Sequence, residues 1–104
     1  MSLIEKTAAE LLALQVAGQV TAVEVTEAFL KAVRDREPTV RAFMHVDEAD
    51  VRAQAAAVAA KRKAGQPLGK LAGVPVAVKD VLCVKGVPTT CSSKILQNFK
   101  PPYD

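Results

Sequence analysis

The stretch that most limits what this chain can fold into is Gly73-Val74-Pro75-Val76-Ala77-Val78-Lys79-Asp80, an apolar, largely β-branched run that stops abruptly at two opposite charges. Continuous apolar runs of this length belong to strands buried on both faces, as in parallel sheets, and not to half-exposed alternating strands. The charges mark where such a strand leaves the interior at the edge of a sheet. A long alanine-rich segment precedes it. Asp47 is placed to cap a helix there, running to about Ala64 and closed by Gly65. Before that, Arg41 to Val46 is short, apolar and bounded by turn signals, which reads as another strand.

The first third predicts two helices. Thr7-Ala8-Ala9-Glu10 and Thr21-Ala22-Val23-Glu24 are both capping-box patterns, and Gly18 between them is a stop. Val25, Ala28, Phe29, Ala32 and Val33 fall at helical spacing on one face, and Pro38 is expected to end the second helix. The reading is therefore α/β: a helical hairpin over about 4–37, a strand-helix-strand unit over about 40–80, and a loop with a short helix, Lys94 to Phe99, over 81–104. Two strands do not make a stable sheet. Only four residues are aromatic and none is tryptophan, so a core made here alone is shallow. A chain of 104 residues buries about two-thirds of the surface its unfolded form exposes. The proper core is expected to lie partly in other chain segments.

Lys79 is the residue with the most chemistry to offer. At the end of an apolar strand its ammonium is partly desolvated, which favours the neutral amine. A neutral lysine accepts a proton from a serine hydroxyl, the general-base task in serine–lysine catalysis. A plain structural reading stands beside it: lysines often end strands because water begins there, and Asp80 next door can neutralise the charge.

The strand motif, followed by Lys85-Gly86-Val87-Pro88-Thr89-Thr90, resembles the amidase signature family. The Leu71-Ala72-Gly73 lead-in and Thr26-Glu27-Ala28-Phe29-Leu30 in the second helix are similar too. The resemblance implies that this chain holds the N-terminal helices and first strands of a mixed-sheet amidase fold, incomplete by itself. It also implies that Lys79 is the base of a Ser–cis-Ser–Lys triad. The tail, Thr89-Thr90-Cys91-Ser92-Ser93-Lys94-Ile95-Leu96-Gln97-Asn98-Phe99 with Pro101-Pro102-Tyr103-Asp104, is similar to the A subunits of glutamyl-tRNA(Gln) amidotransferases more than to the fatty-amide or acyl-amide hydrolases.

For that branch the resemblance implies hydrolysis of L-glutamine through an acyl-enzyme. The ammonia passes to a partner subunit that uses ATP and Mg to amidate Glu-tRNA(Gln). The implied partners are the B and C subunits, and no cofactor is expected in this chain itself. Both triad serines and the oxyanion donors belong, in the family, to a downstream glycine- and serine-rich region not found in these 104 residues. The chain is thus expected to be a fragment without activity of its own. The competing expectations are a non-catalytic interaction module and a fragment of another amide hydrolase.

The remaining features point to structure. Ser92-Ser93 lies between Cys91 and Lys94 without flanking glycines, so it reads as a turn or helix cap and not as the triad pair. Cys83 and Cys91 are too few for a zinc site, with His45 far off, and Cys91 reads as inert packing. The net charge of +3 includes one tight run, Lys61-Arg62-Lys63, which reads as cations solvated at a helix C-terminus; a nucleic-acid patch is the lesser alternative. No apolar run approaches bilayer-spanning length and no signal peptide is evident, so a cytoplasmic location is expected.

Overall fold

Every long helix of this chain starts on a side chain that caps it. In the computed structural model, which describes residues 2–104, a 3-10 turn at Leu3–Glu5 leads to α1 (Ala8–Val16), α2 (Ala22–Val40) and α3 (Glu48–Lys63). The Thr7 and Thr21 hydroxyls accept from the amides of Glu10 and Glu24, whose carboxylates reach back to the Thr7 and Thr21 amides. Both expected capping boxes are present. Asp47 caps α3 by accepting from the Asp50 amide. The ends of α1 and α3 are equally regular. Gly18 and Gly65 take left-handed backbone, and paired amides return to Gln15 and Leu14, and to Arg62 and Lys61. Each is a Schellman closure, which glycine allows without a Cβ penalty.

Pro38 does not end α2, contrary to the sequence expectation; the helix runs on to Val40. Proline has no N–H to return to the carbonyl four residues back, but so near the terminus that loss is small. Glu37 then closes the helix. Its carbonyl accepts from the Arg41 amide, and its carboxylate takes the amides of Ala42 at 2.6 Å and Phe43 at 2.6 Å. This also explains why Arg41 to Val46 is not the predicted strand. Two amides that a ladder needs are held by Glu37, and Arg41 sits at φ +51°.

Among the described residues there is no strand at all, so the strands of the α/β expectation are not formed. Gly73 lies in a turn and residues 74–79 are without regular structure, with Val76 and Val78 exposed. Strand hydrogen bonds need a neighbouring strand, and this chain supplies none. The expected helix over Lys94 to Phe99 is absent too. Two successive tight turns, Leu96 amide to Ser93 carbonyl and Phe99 amide to Leu96 carbonyl, take its place.

Packing concentrates on α2. It packs mainly against α3 and the Leu3–Glu5 turn. Ala22, Val25, Thr26 and Leu30 form its buried line, while the expected Ala28, Phe29, Ala32 and Val33 are half-buried. Leu11 from α1 and Ala55 from α3 join it in the helical core. Two ion pairs cross between α2 and α3, Arg34–Glu48 and Arg52–Glu27. All four side chains are well exposed, so water and salt screen the pairs and each contributes little to stability.

The accessible surface is 7491 Å². A folded chain of 11.0 kDa exposes about 5,600 Å² by the usual scaling. Much of the apolar part of the excess lies beyond the helices, where Leu71, Val76, Val78, Val81, Leu82 and Ile95 all face solvent.

Candidate functional site

Lys79 sits at the end of the irregular 74–79 stretch, and the turn that leads into it is held by side chains from two helices. The first is Gln15 of α1, a fully buried amide whose Nε2 donates to the carbonyls of Leu11 (3.3 Å) and Gly73 (3.2 Å). Gly73 has φ +82°, and a Cβ built there would lie 2.0 Å from Gln15 Oε1. Glycine is required twice over at this position, for its backbone and for the approach of the amide. Oε1 itself is buried with no hydrogen-bond partner.

Arg62 of α3 makes the second grip, donating from Nη2 to the Ala72 carbonyl at 3.2 Å while its Nε is buried and unpartnered. The expected solvated cluster is thus divided. Lys61 and Lys63 are exposed, but Arg62 is half-buried and holds the segment that leads to Lys79. Neither grip was legible in the sequence. A glutamine on the Leu11 face of α1 was the available signal, and it names no partner.

Beyond Lys79 the chain turns at once, the Leu82 amide donating to the Lys79 carbonyl. Asp80 then gathers the returning loop. Its carboxylate accepts from the Thr90 amide at 2.8 Å and from the Thr90 hydroxyl, while its carbonyl accepts from the Cys91 amide at 2.9 Å. The Thr90 hydroxyl in turn accepts from the Ser92 amide. The bond from the Thr90 hydroxyl first, then that from the Thr90 amide, holds the Asp80 carboxyl below its ordinary range against the opposing effect of burial. Three amides over Cys91–Ser93 are satisfied in this way, the last by the Thr90 carbonyl. They let Cys91 and Ser92 stand in left-handed backbone at φ +49° and +58°.

The partial desolvation expected of Lys79 is not found in these residues, and the expected pairing with Asp80 is not found either. Asp80 is engaged by Thr90, and the ion pairs among the described residues do not include Lys79. Lys79 is exposed to solvent. Ser92 and Ser93 form a turn, as the sequence suggested, with Ser93 Oγ accepting from the Ile95 amide. Cys83 and Cys91 are free thiols; Cys91 is exposed, so the expectation that it packs inside does not hold. His45 is exposed beside a shallow groove with Asp80, Thr90 and Lys94. No group of metal-binding side chains occurs among the described residues.

The tail closes over the loop. The amides of Gly86 and Thr89 donate to the carbonyls of Pro101 and Phe99, and the Lys85 amide donates to the Asp104 carboxylate. Pro101 and Thr89 are buried between them. The tail residues that carried the closer resemblance are therefore those that hold the 85–89 loop in place.

Comparison with known proteins decides the family. The sequence profile of the Amidase family matches residues 24–104. The chain belongs to the amidase family. It is 55% identical over 98 residues to the A subunit of the glutamyl-tRNA(Gln) amidotransferase of Rhodopirellula baltica, covering 94% of this chain and 20% of that protein. The corresponding A subunit from Streptomyces coelicolor is 50% identical over 102 residues, covering 98% and 20%.

Among solved structures, a bacterial aryl acylamidase of the amidase signature enzymes superposes with a TM-score of 0.85 at 31% identity, over 91% of this chain and 20% of that one. A chain from a vestigial complex linked to the origins of an s-triazine catabolic enzyme gives 0.87 at 30% identity, over 95% and 22%. This amidase-family chain spans about a fifth of the length of the curated relatives it matches. No helix among the described residues is long and apolar enough to cross a membrane.

Proposed function

We propose that these residues are the lysine-bearing part of a glutamine-hydrolysing A subunit of a glutamyl-tRNA(Gln) amidotransferase. The observation that carries this reading is the identity of 50–55% with A subunits over nearly the whole chain. That span includes both the segment leading to Lys79 and the tail that closes the loop behind it.

In this reading Lys79 is the terminal proton acceptor of a Ser–cis-Ser–Lys triad. Support comes from its ammonium being uncommitted to Asp80, which leaves it free to face a serine contributed by other residues of a longer polypeptide. The nucleophilic serine would attack the glutamine amide carbon, the second serine relaying its proton to neutral Lys79 Nζ. The proton would return through the second serine to the departing amide nitrogen, which leaves as ammonia, and water would then hydrolyse the acyl-serine to glutamate. The ammonia would serve a B subunit that amidates Glu-tRNA(Gln) with ATP and Mg, in a cytoplasmic complex that also has a C subunit. The exposed Val76, Val78 and Leu82 suit burial by further strands of the same domain. Alone, the 104 residues lack the nucleophile and are predicted inactive.

The test has two parts. The native species captured from source cells through this segment should be several times heavier than 11.0 kDa, and it should hydrolyse glutamine. Lys79→Ala should lower that rate by several orders of magnitude, as loss of a triad member does elsewhere. Lys79→Arg should be nearly as damaging, because a guanidinium does not lose its proton in proteins. A native species of 11.0 kDa would instead favour a stand-alone interaction module.

A further inference from the structure

A proton acceptor has to be aimed, and the residue after Lys79 is held by three hydrogen bonds. Asp80 closes the loop from 80 to 90 at its base, through the Thr90 amide, the Thr90 hydroxyl and the Cys91 amide. The Leu82 amide fixes the Lys79 carbonyl in the same turn. A lysine side chain is long and rotamer-rich, so the direction of its Cα–Cβ bond is set by the backbone on either side. Upstream, Gln15 and Arg62 hold Ala72 and Gly73, but the irregular stretch from Val74 to Val78 separates that anchor from Lys79. The nearer constraint is Asp80.

We propose that Asp80, acting through Thr90, is a positioning residue for Lys79: the carboxylate binds the returning loop in place of the neighbouring ammonium, which fixes the backbone at Lys79 and leaves its amine unpaired. This deepens the reading of Lys79 as a proton acceptor and rests on it. Two consequences distinguish positioning from mere support. The Thr90 hydroxyl matters through a bond that serine reproduces and valine does not, because valine keeps the shape and the Thr90 amide bond but loses the hydroxyl. The effect also falls on turnover, since no group in the clip is assigned a contact with glutamine.

The experiment uses the whole polypeptide that source cells make through this segment, purified with its partner subunits and assayed for glutamine hydrolysis per folded molecule. Thr90→Val and Asp80→Asn are each expected to lower kcat by about tenfold to a hundredfold, the scale of a misplacement near 1 Å, with KM changed less than about twofold. Thr90→Ser is expected to stay within about threefold of the parent. Parent-like kcat in Thr90→Val would overturn the proposal, as would a loss of kcat in Thr90→Ser as large as that in Thr90→Val. If Asp80→Asn does not fold, the valine and serine pair decides alone. A parent enzyme that does not hydrolyse glutamine, or a Lys79→Ala variant with full activity, removes the underlying reading and this proposal with it. Activity lost in Lys79→Ala but kept in both clip variants removes this proposal only.

Discussion

The helical part of this chain and the segment beyond Gly65 are built on opposite terms. From Thr7 to Gly65 the backbone satisfies itself: ladders run within each helix, threonine or aspartate caps the start, and Schellman bonds or Glu37 close the end. From Gln66 onward there is no regular ladder among the described residues, and order comes from isolated backbone bonds, such as Gly86 to Pro101 and Cys91 to Asp80, together with single side chains. Gln15 and Arg62 hold the 72–73 backbone, Asp80 holds Thr90, and Asp104 holds Lys85. The difference teaches where a fold can be made from near neighbours and where it waits for distant ones. Helix bonds span four residues, whereas the Gln15–Gly73 bond spans 58.

The comparison breaks most visibly at Gly73. Gly73→Ala places a methyl against a buried amide and forces a left-handed residue. A loss of about 2–4 kcal/mol in the stability of the segment follows. Amide exchange over 72–80 should accelerate while α2 stays protected; equal exchange in parent and variant would show the Gln15 grip to be idle.

Leu30→Ala, in the buried line of α2, is expected to cost about 2–3 kcal/mol. Unlike the glycine variant, it should lower protection in α2 and α3 together, measured by denaturant unfolding and exchange on the same sample.

A smaller effect tests a cap against its helix. Thr21→Ala leaves the Glu24 amide without its hydroxyl partner and should cost about 1 kcal/mol, read as a fall in the midpoint of chemical unfolding. Thr21→Ser should restore most of it.

The Asp80 clip sharpens the contrast through pH. Its carboxyl is held below the ordinary value of 3.8, so the clip is fully present above about that pH. It weakens as pH falls through the lowered folded value. The Thr90 amide resonance should therefore move at a lower pH than a free aspartate would dictate, while the α2 amides stay unmoved. Least of all, Glu27→Gln removes half of an exposed pair with Arg52 and should leave the midpoint of chemical unfolding almost where it was. A clear fall would mean that α2 and α3 depend on charge more than on Val25 and Leu30.

The sequence by itself determined the three helices, both capping boxes, the Gly18 and Gly65 stops, and the family motif ending at Lys79. Each of these is written within a few neighbouring residues, since a cap reaches three positions and a helix bond four. Pro38 misled because proline's cost depends on where in a helix it falls, and Glu37 supplied bonds that composition does not advertise. The strands were misjudged for a deeper reason: an apolar run records an appetite for burial, but a ladder exists only where another strand lies alongside. Tertiary structure alone decided that Gln15 meets Gly73, that Arg62 leaves its solvated neighbours to hold Ala72, and that Asp80 turns to Thr90 instead of Lys79. Those partners lie from 10 to 58 residues apart. Which of many distant polar groups a side chain finds is fixed by how the helices pack, not by the residues beside it.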